Sequence, residues 1–150
     1  MQRIGLIVCL ATFVGVLTAP VAGAAPITNG RFGVEGGIAT GEGGVGLGWI
    51  IGANYKLMPR VGPLHIRGDV TYQSHGSDLS IFGLAGNAVL PLGNLYGLGG
   101  IGWYRSDPGD DVLATQLGVG MNRFGGIYLE ARWVDIDGFT TIPIVVGIRF

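Results

Sequence analysis

The chain has 150 residues, suited to one domain, and only 13% of them are charged, about half the roughly 25% usual in soluble proteins. Thirty glycines in an otherwise apolar chain argue against a helical core, because interior Gly costs roughly 1 kcal/mol relative to Ala. A formal net charge of −1 excludes the basic footprint of a nucleic-acid-binding domain.

The first element is the apolar run "IGLIVCLATFVGVLTAPVAGA" after Arg3. It is nearly long enough to anchor a chain in a membrane. Pro20 and the small-x-small triplet Ala22-Gly23-Ala24 instead fit a cleavable secretory signal over residues 1–24, leaving a mature domain of residues 25–150. Cys9 would leave with the signal, so the exported chain would carry no thiol.

Beyond residue 30 the hydrophobic period is two. Apolar segments separated by turn residues predict eight strands, at about 31–40, 46–58, 64–73, 79–91, 95–105, 112–122, 127–135 and 142–150. The number is even, and the lengths match what a tilted strand needs to cross a bilayer. In "LHIRGDVTYQ", Leu64, Ile66, Val70 and Tyr72 share one face, and His65, Arg67, Asp69, Thr71 and Gln73 the other. "IYLEARWV" sets Ile127, Leu129, Ala131 and Trp133 against Tyr128, Glu130 and Arg132. "LATQLGVGMN" repeats the pattern, as does "GLGWIIGANYKL" apart from Ile50, whereas the glycine-rich strand from Leu95 to Arg105 leaves its faces unassigned.

Alternation alone does not say which face points inward, so a secreted lipocalin-like barrel or a sandwich also fits it. The polar face is mostly Gly, Ala and Asn, too poor in charge for a soluble exterior but suited to a narrow interior. The expected fold is therefore an all-β, eight-stranded antiparallel up-and-down transmembrane barrel with its apolar face toward lipid. Phe32, Tyr55, Tyr72, Phe82, Tyr96, Trp133 and Phe150 fall near strand ends, where aromatic girdles belong. Both chain ends are expected on the periplasmic side, with "PRVGP", "LGN" and "RFGG" as turns there and acidic loops near "GEGGV", "SHGSD", "SDPGDD" and "DIDGFT" outside.

The same face assignment points Arg31, Glu35, Lys56, Arg67, Asp69, Glu130, Arg132 and Arg149 into the lumen. Charges in so narrow a space are costly alone and should pair, and an eight-stranded barrel is just wide enough for side chains to fill. A plug of salt bridges is the expected outcome. A narrow ion or small-solute channel is the competing one.

The signal, the eight strands and the terminal "VVGIRF" together resemble the OmpA/OmpX-type small outer-membrane barrels of Gram-negative bacteria, over nearly all of the mature chain. Ile144, Val146, Ile148 and Phe150, alternating with Gly147 and Arg149, are similar to that family's C-terminal assembly signal, and "EARW" at 130–133 to its penultimate strand. The resemblance implies recognition by the barrel-assembly machinery, with Phe150 as anchor, and a monomer embedded among outer-membrane lipid and lipopolysaccharide. No peptidoglycan-binding domain follows in this sequence, so wall anchoring is not expected.

Two motifs compete with a non-catalytic role. His75 and Ser77 in "SHGSD" have the His-x-Ser spacing of lipid A deacylases, but Asp78 stands where that family has Asn and its wider motif is missing. The amphipathic N-terminal helix of lipid A palmitoyltransferases is missing as well. "DPGDD" offers clustered oxygen ligands without the spacing of a known Ca²⁺ loop. Both read adequately as turns. The expectation is a non-enzymatic envelope protein, structural or interacting with a partner, without cofactor or dedicated metal site. A lipid A-modifying enzyme or an adhesin is the less favoured alternative.

Overall fold

The computed structural model describes residues 30–42, 46–76, 79–107, 109–136 and 139–150. The expected signal peptide, Ser77 and Asp78 of "SHGSD", Pro108 and Asp137 lie outside them. The strands are β1 (Phe32–Gly41), β2 (Gly48–Val61), β3 (Leu64–His75), β4 (Leu79–Leu92), β5 (Leu95–Asp107), β6 (Asp111–Asn122), β7 (Ile127–Ile136) and β8 (Phe139–Arg149). Each pairs antiparallel with the next, and β8 returns to β1 to close the barrel. Closure leaves no free sheet edge. At the seam, Gly33 faces Arg149 and Val34 faces Ile148, and Phe32 and Phe150 exchange backbone hydrogen bonds of 3.1 and 2.9 Å. The chain's last residue and the start of β1 thus mark one end of the barrel, hereafter the terminal end.

Two strand limits differ from expectation by three residues. "PRVGP" is not a five-residue turn, because β2 continues through Pro59 and Arg60 to Val61 after a register shift beyond Leu57. Only Gly62 and Pro63 then separate Val61 from its partner Leu64, and Gly62 supplies the positive φ of 62° that the tight turn requires. At the far end, β8 begins at Phe139, paired with Ile136, three residues before the expected start at 142. Thr140 and Thr141 extend the ladder opposite Asp135 and Val134, as β-favouring residues can.

The faces obey the alternation. Val119, Leu117 and Ile101 are 67%, 59% and 58% exposed, whereas Arg67, Glu130 and Arg132 are at most 3% exposed. Among the strand residues whose side chains are described, charge reaches the outer surface only at the far rim, in Arg105, Asp107, Asp111 and Asp135. The wall between is an unbroken apolar belt. Soluble monomers rarely expose apolar patches beyond a few hundred Å². Aromatics ring both borders. Phe32 and Phe150 pack edge to face at 5.4 Å beside Tyr55 at the terminal end. The pairs Trp49–Tyr72 (5.5 Å) and Phe82–Trp103 (6.1 Å) sit toward the far end. Tyr96 does not belong to a girdle: β5 turns Tyr96, Leu98, Tyr104 and Ser106 inward, so Tyr96 is buried in the lumen.

The lumen is layered. Ile81, Tyr104, Ala114, Val134 and Ile136 form an apolar cluster toward the far end, with Leu79, Val112 and Phe139 against it. Ile50, the residue that broke the alternation of β2, packs inside with Ala39 and Val145. Val89, Tyr96 and Leu98 make a smaller cluster nearer the terminal end. Charged and amide side chains occupy the zone between.

Candidate functional site: a charge network inside the barrel

Residues two apart on a strand share a face, so Arg67 and Asp69 of β3 enter the lumen together, as do Glu130 and Arg132 of β7. The barrel brings these pairs, 63 positions apart in sequence, into contact. Arg67 grips Glu130 with both terminal nitrogens, Nη1 to Oε2 at 2.7 Å and Nη2 to Oε1 at 2.8 Å. Its Nε lies 2.8 Å from Asp69 Oδ1, and Nη2 also donates to Asp69 Oδ2 at 3.0 Å. Arg132 donates through Nε to Glu130, and through Nη2 to Glu35 Oε1 of β1 at 2.5 Å. Two guanidiniums and three carboxylates therefore form one connected cluster with a formal charge of −1.

Neutral donors surround the surplus negative charge. The Tyr96 hydroxyl donates to Glu130 Oε2 at 2.6 Å, and Tyr128 to Glu35 Oε2 at 2.7 Å. Asn54 donates to Glu35 at 3.1 Å and to the Tyr128 oxygen at 2.6 Å. Asn87 donates to Asp69 and accepts from Gln116 at 2.7 Å, and Tyr104 donates to the Gln116 carbonyl at 3.1 Å. Charge-assisted bonds of this kind are the strong ones. Cavities of the right polarity are thereby filled by paired groups rather than by lone charges, which would be far costlier.

Not every expected lumen residue joins the cluster. Arg31 is exposed before the start of β1, where its carbonyl accepts from Lys56 N at 2.8 Å, so its side chain stands outside the lumen network. The reason is that β1 begins one residue later than the alternation suggested. Lys56 and Arg149 do point inward but sit nearer the terminal end, Arg149 4.4 Å above the Tyr128 ring and within 3.3 Å of Asn122 Oδ1. The assembly-signal residues Ile144, Val146, Ile148 and Phe150 face outward, and Gly147 faces inward.

Gly147 has a packing role that spacing did not reveal. The Tyr128 ring lies so close over it that a Cβ would strike the ring and hydroxyl, and Tyr96 covers Gly120 in the same way. Only glycine leaves room for rings that must reach the carboxylates. Gly147→Ala should therefore push Tyr128 off Glu35 and cost about 1–3 kcal/mol, the range for an overpacked interior. Urea unfolding checks this, and the loss should shrink when Tyr128→Leu is combined with it.

His75 also points inward, with Nδ1 2.8 Å from the Gly46 carbonyl oxygen and Nε2 3.3 Å from Gln73 Oε1. Near "DPGDD", Arg105 and Asp111 approach to 3.7 Å as an exposed pair. The tyrosines and amides of the network carry no charge, so the pairing of charges alone does not single them out. Inward parity on β2 and β7 already marked Asn54 and Tyr128.

Comparison with solved structures finds the same architecture in a de novo designed transmembrane β-barrel, at 12% identity and a TM-score of 0.65 over 85% of this chain and 100% of the design. The outer membrane protein Ail of Yersinia pestis, in a phospholipid bilayer nanodisc, is similar at 14% identity and a TM-score of 0.59, over 81% of this chain and 100% of Ail. Neisserial surface protein A is similar at 15% identity and 0.52, over 86% and 100%. At these identities the likeness is one of fold. No family model matches the chain, and neither does any curated protein.

Proposed function

We propose that this protein is an integral barrel of the bacterial outer membrane with a structural or interaction role rather than a catalytic one, its lumen closed by the Arg67–Glu130–Arg132–Glu35 cluster. The observation that carries this is the inversion of polarity: an apolar belt outside, paired charges inside. Only a hydrocarbon surrounding makes that the cheaper arrangement. The even strand number puts the start of β1 and the end of β8 on one side. Tight turns such as Gly62-Pro63 fit the periplasmic side of a bacterial barrel. Outer-membrane lipid and lipopolysaccharide are the surroundings this implies, the assembly machinery would read the strand ending in Phe150, and a closed sheet needs no second copy. The inward hydrogen bonds of His75 favour a structural part for it over chemistry on a lipid.

The test joins two measurements on one preparation. The protein should fractionate with the outer membrane and migrate differently on a gel before and after boiling. In planar bilayers it should then conduct weakly, with steadier and larger currents from Glu130→Ala. Porin-sized wild-type currents would replace the plug with a channel, and recovery as a soluble species would reject the membrane assignment.

A further inference from the structure

We infer that the terminal mouth of the lumen is a binding site for a small soluble oxyanion of the phosphate class. Between the charge network and the terminal end lies a cavity of about 50 Å³ lined by Lys56, His65, Arg67, Tyr96, Asn122 and Arg149, with Val89 and Pro91. Among the described residues that line it, none is a carboxylate. Lys56, His65 and Arg149 each engage other groups of the protein, so the argument rests on summed charge and shape rather than on unused donors.

The charge balance decides the sign. The network behind the cavity carries −1, and Lys56 and Arg149 together carry +2, so the interior as a whole retains a positive excess on the side of the cavity. The surrounding rim adds to it. Arg31, Lys56 and Arg149 belong to the terminal end of the strands, and the turns there contain no Asp or Glu. A recess with low-dielectric walls focuses such a field and concentrates counter-ions of opposite sign. Lys and Arg give charge-assisted hydrogen bonds to phosphate oxygens, while Tyr96 and Asn122 offer neutral polar atoms beside them. A space of this size suits an inorganic ion with a water or two. It excludes a bulky substrate. A lipid headgroup is disfavoured because the cavity lies inside the wall, whereas acyl chains run along the outside.

The experiment uses the full folded barrel in dodecyl maltoside micelles, which bring no phosphate of their own, titrated with inorganic phosphate at an ionic strength of about 0.15 M. Backbone amide resonances of Lys56, His65 and Asn122 should shift together and saturate. Lys56→Gln should weaken binding about tenfold, the scale of one lost charge-assisted contact, and Lys56→Arg should restore it, which separates a binding role from a folding defect. Arg123→Gln removes a cation from the same end but not from the cavity and should leave the affinity within about twofold. Absence of a saturable shift, equal weakening by Lys56→Gln and Arg123→Gln, or a response only to phosphatidylglycerol bicelles and not to inorganic phosphate would each overturn the assignment.

Discussion

Glu130→Ala is expected to lower the unfolding free energy of the barrel by about 3–5 kcal/mol, the cost of removing one partner from a buried ion pair. Glu130 is fully buried and accepts from Arg67, Arg132 and Tyr96 at once. Without it, Arg67 keeps only Asp69 and Arg132 keeps only Glu35, and the Tyr96 hydroxyl loses its acceptor. Glu130→Gln should fall between. It balances two guanidiniums against two carboxylates, yet its amide nitrogen turns a donor toward groups that themselves donate. Urea unfolding in lipid vesicles, followed through the outward-facing Trp49, Trp103 and Trp133, reads both variants. A loss below about 1 kcal/mol for Glu130→Ala would mean that the cluster is solvated rather than dry.

The second large effect concerns the wall. Leu117, paired with Gly99 and Trp133 midway along β6, should cost about 2–4 kcal/mol when changed to Arg, while Leu113→Arg near the far rim should cost about 0–1 kcal/mol. Leu113 is the more exposed of the two, at 73% against 59%. Area alone would rank them nearly equal, and in water neither substitution would harm a soluble barrel. A depth-dependent penalty therefore identifies the surrounding phase, and equal small effects at both sites would reject a bilayer.

Much of this was legible in the sequence where side chains carried information. On β3 and on β7 two charges stand two positions apart, so parity alone assigns Arg67 and Asp69, and Glu130 and Arg132, to the inner face. Their pairing across the lumen followed from the narrowness of eight strands, although which carboxylate meets which guanidinium depended on register. On β5 the glycines gave no such handle, and the inward turn of Tyr96 and Tyr104 stayed hidden. The expectation of a polar lumen also misled at the far end. Ile81, Val134 and Ile136 are inward by parity and apolar by type, a combination that alternation treats as a contradiction but a closing barrel uses as core. Arg31 failed for a plainer reason: it precedes the first ladder pair, where parity no longer constrains a side chain.

The tyrosine rings resting on Gly120 and Gly147 carry a consequence for tolerance to change. Each ring spans from one strand to a notch in a neighbouring one, Tyr96 of β5 to β6 and Tyr128 of β7 to β8. They act as pegs seated in sockets, locking adjacent strands against sliding by a residue. A slip would carry the socket away from its peg and set a side chain in its place, besides turning every charge toward lipid. Register in this barrel is thus held by shape as well as by hydrogen bonds, at two positions that carry no side chain of their own.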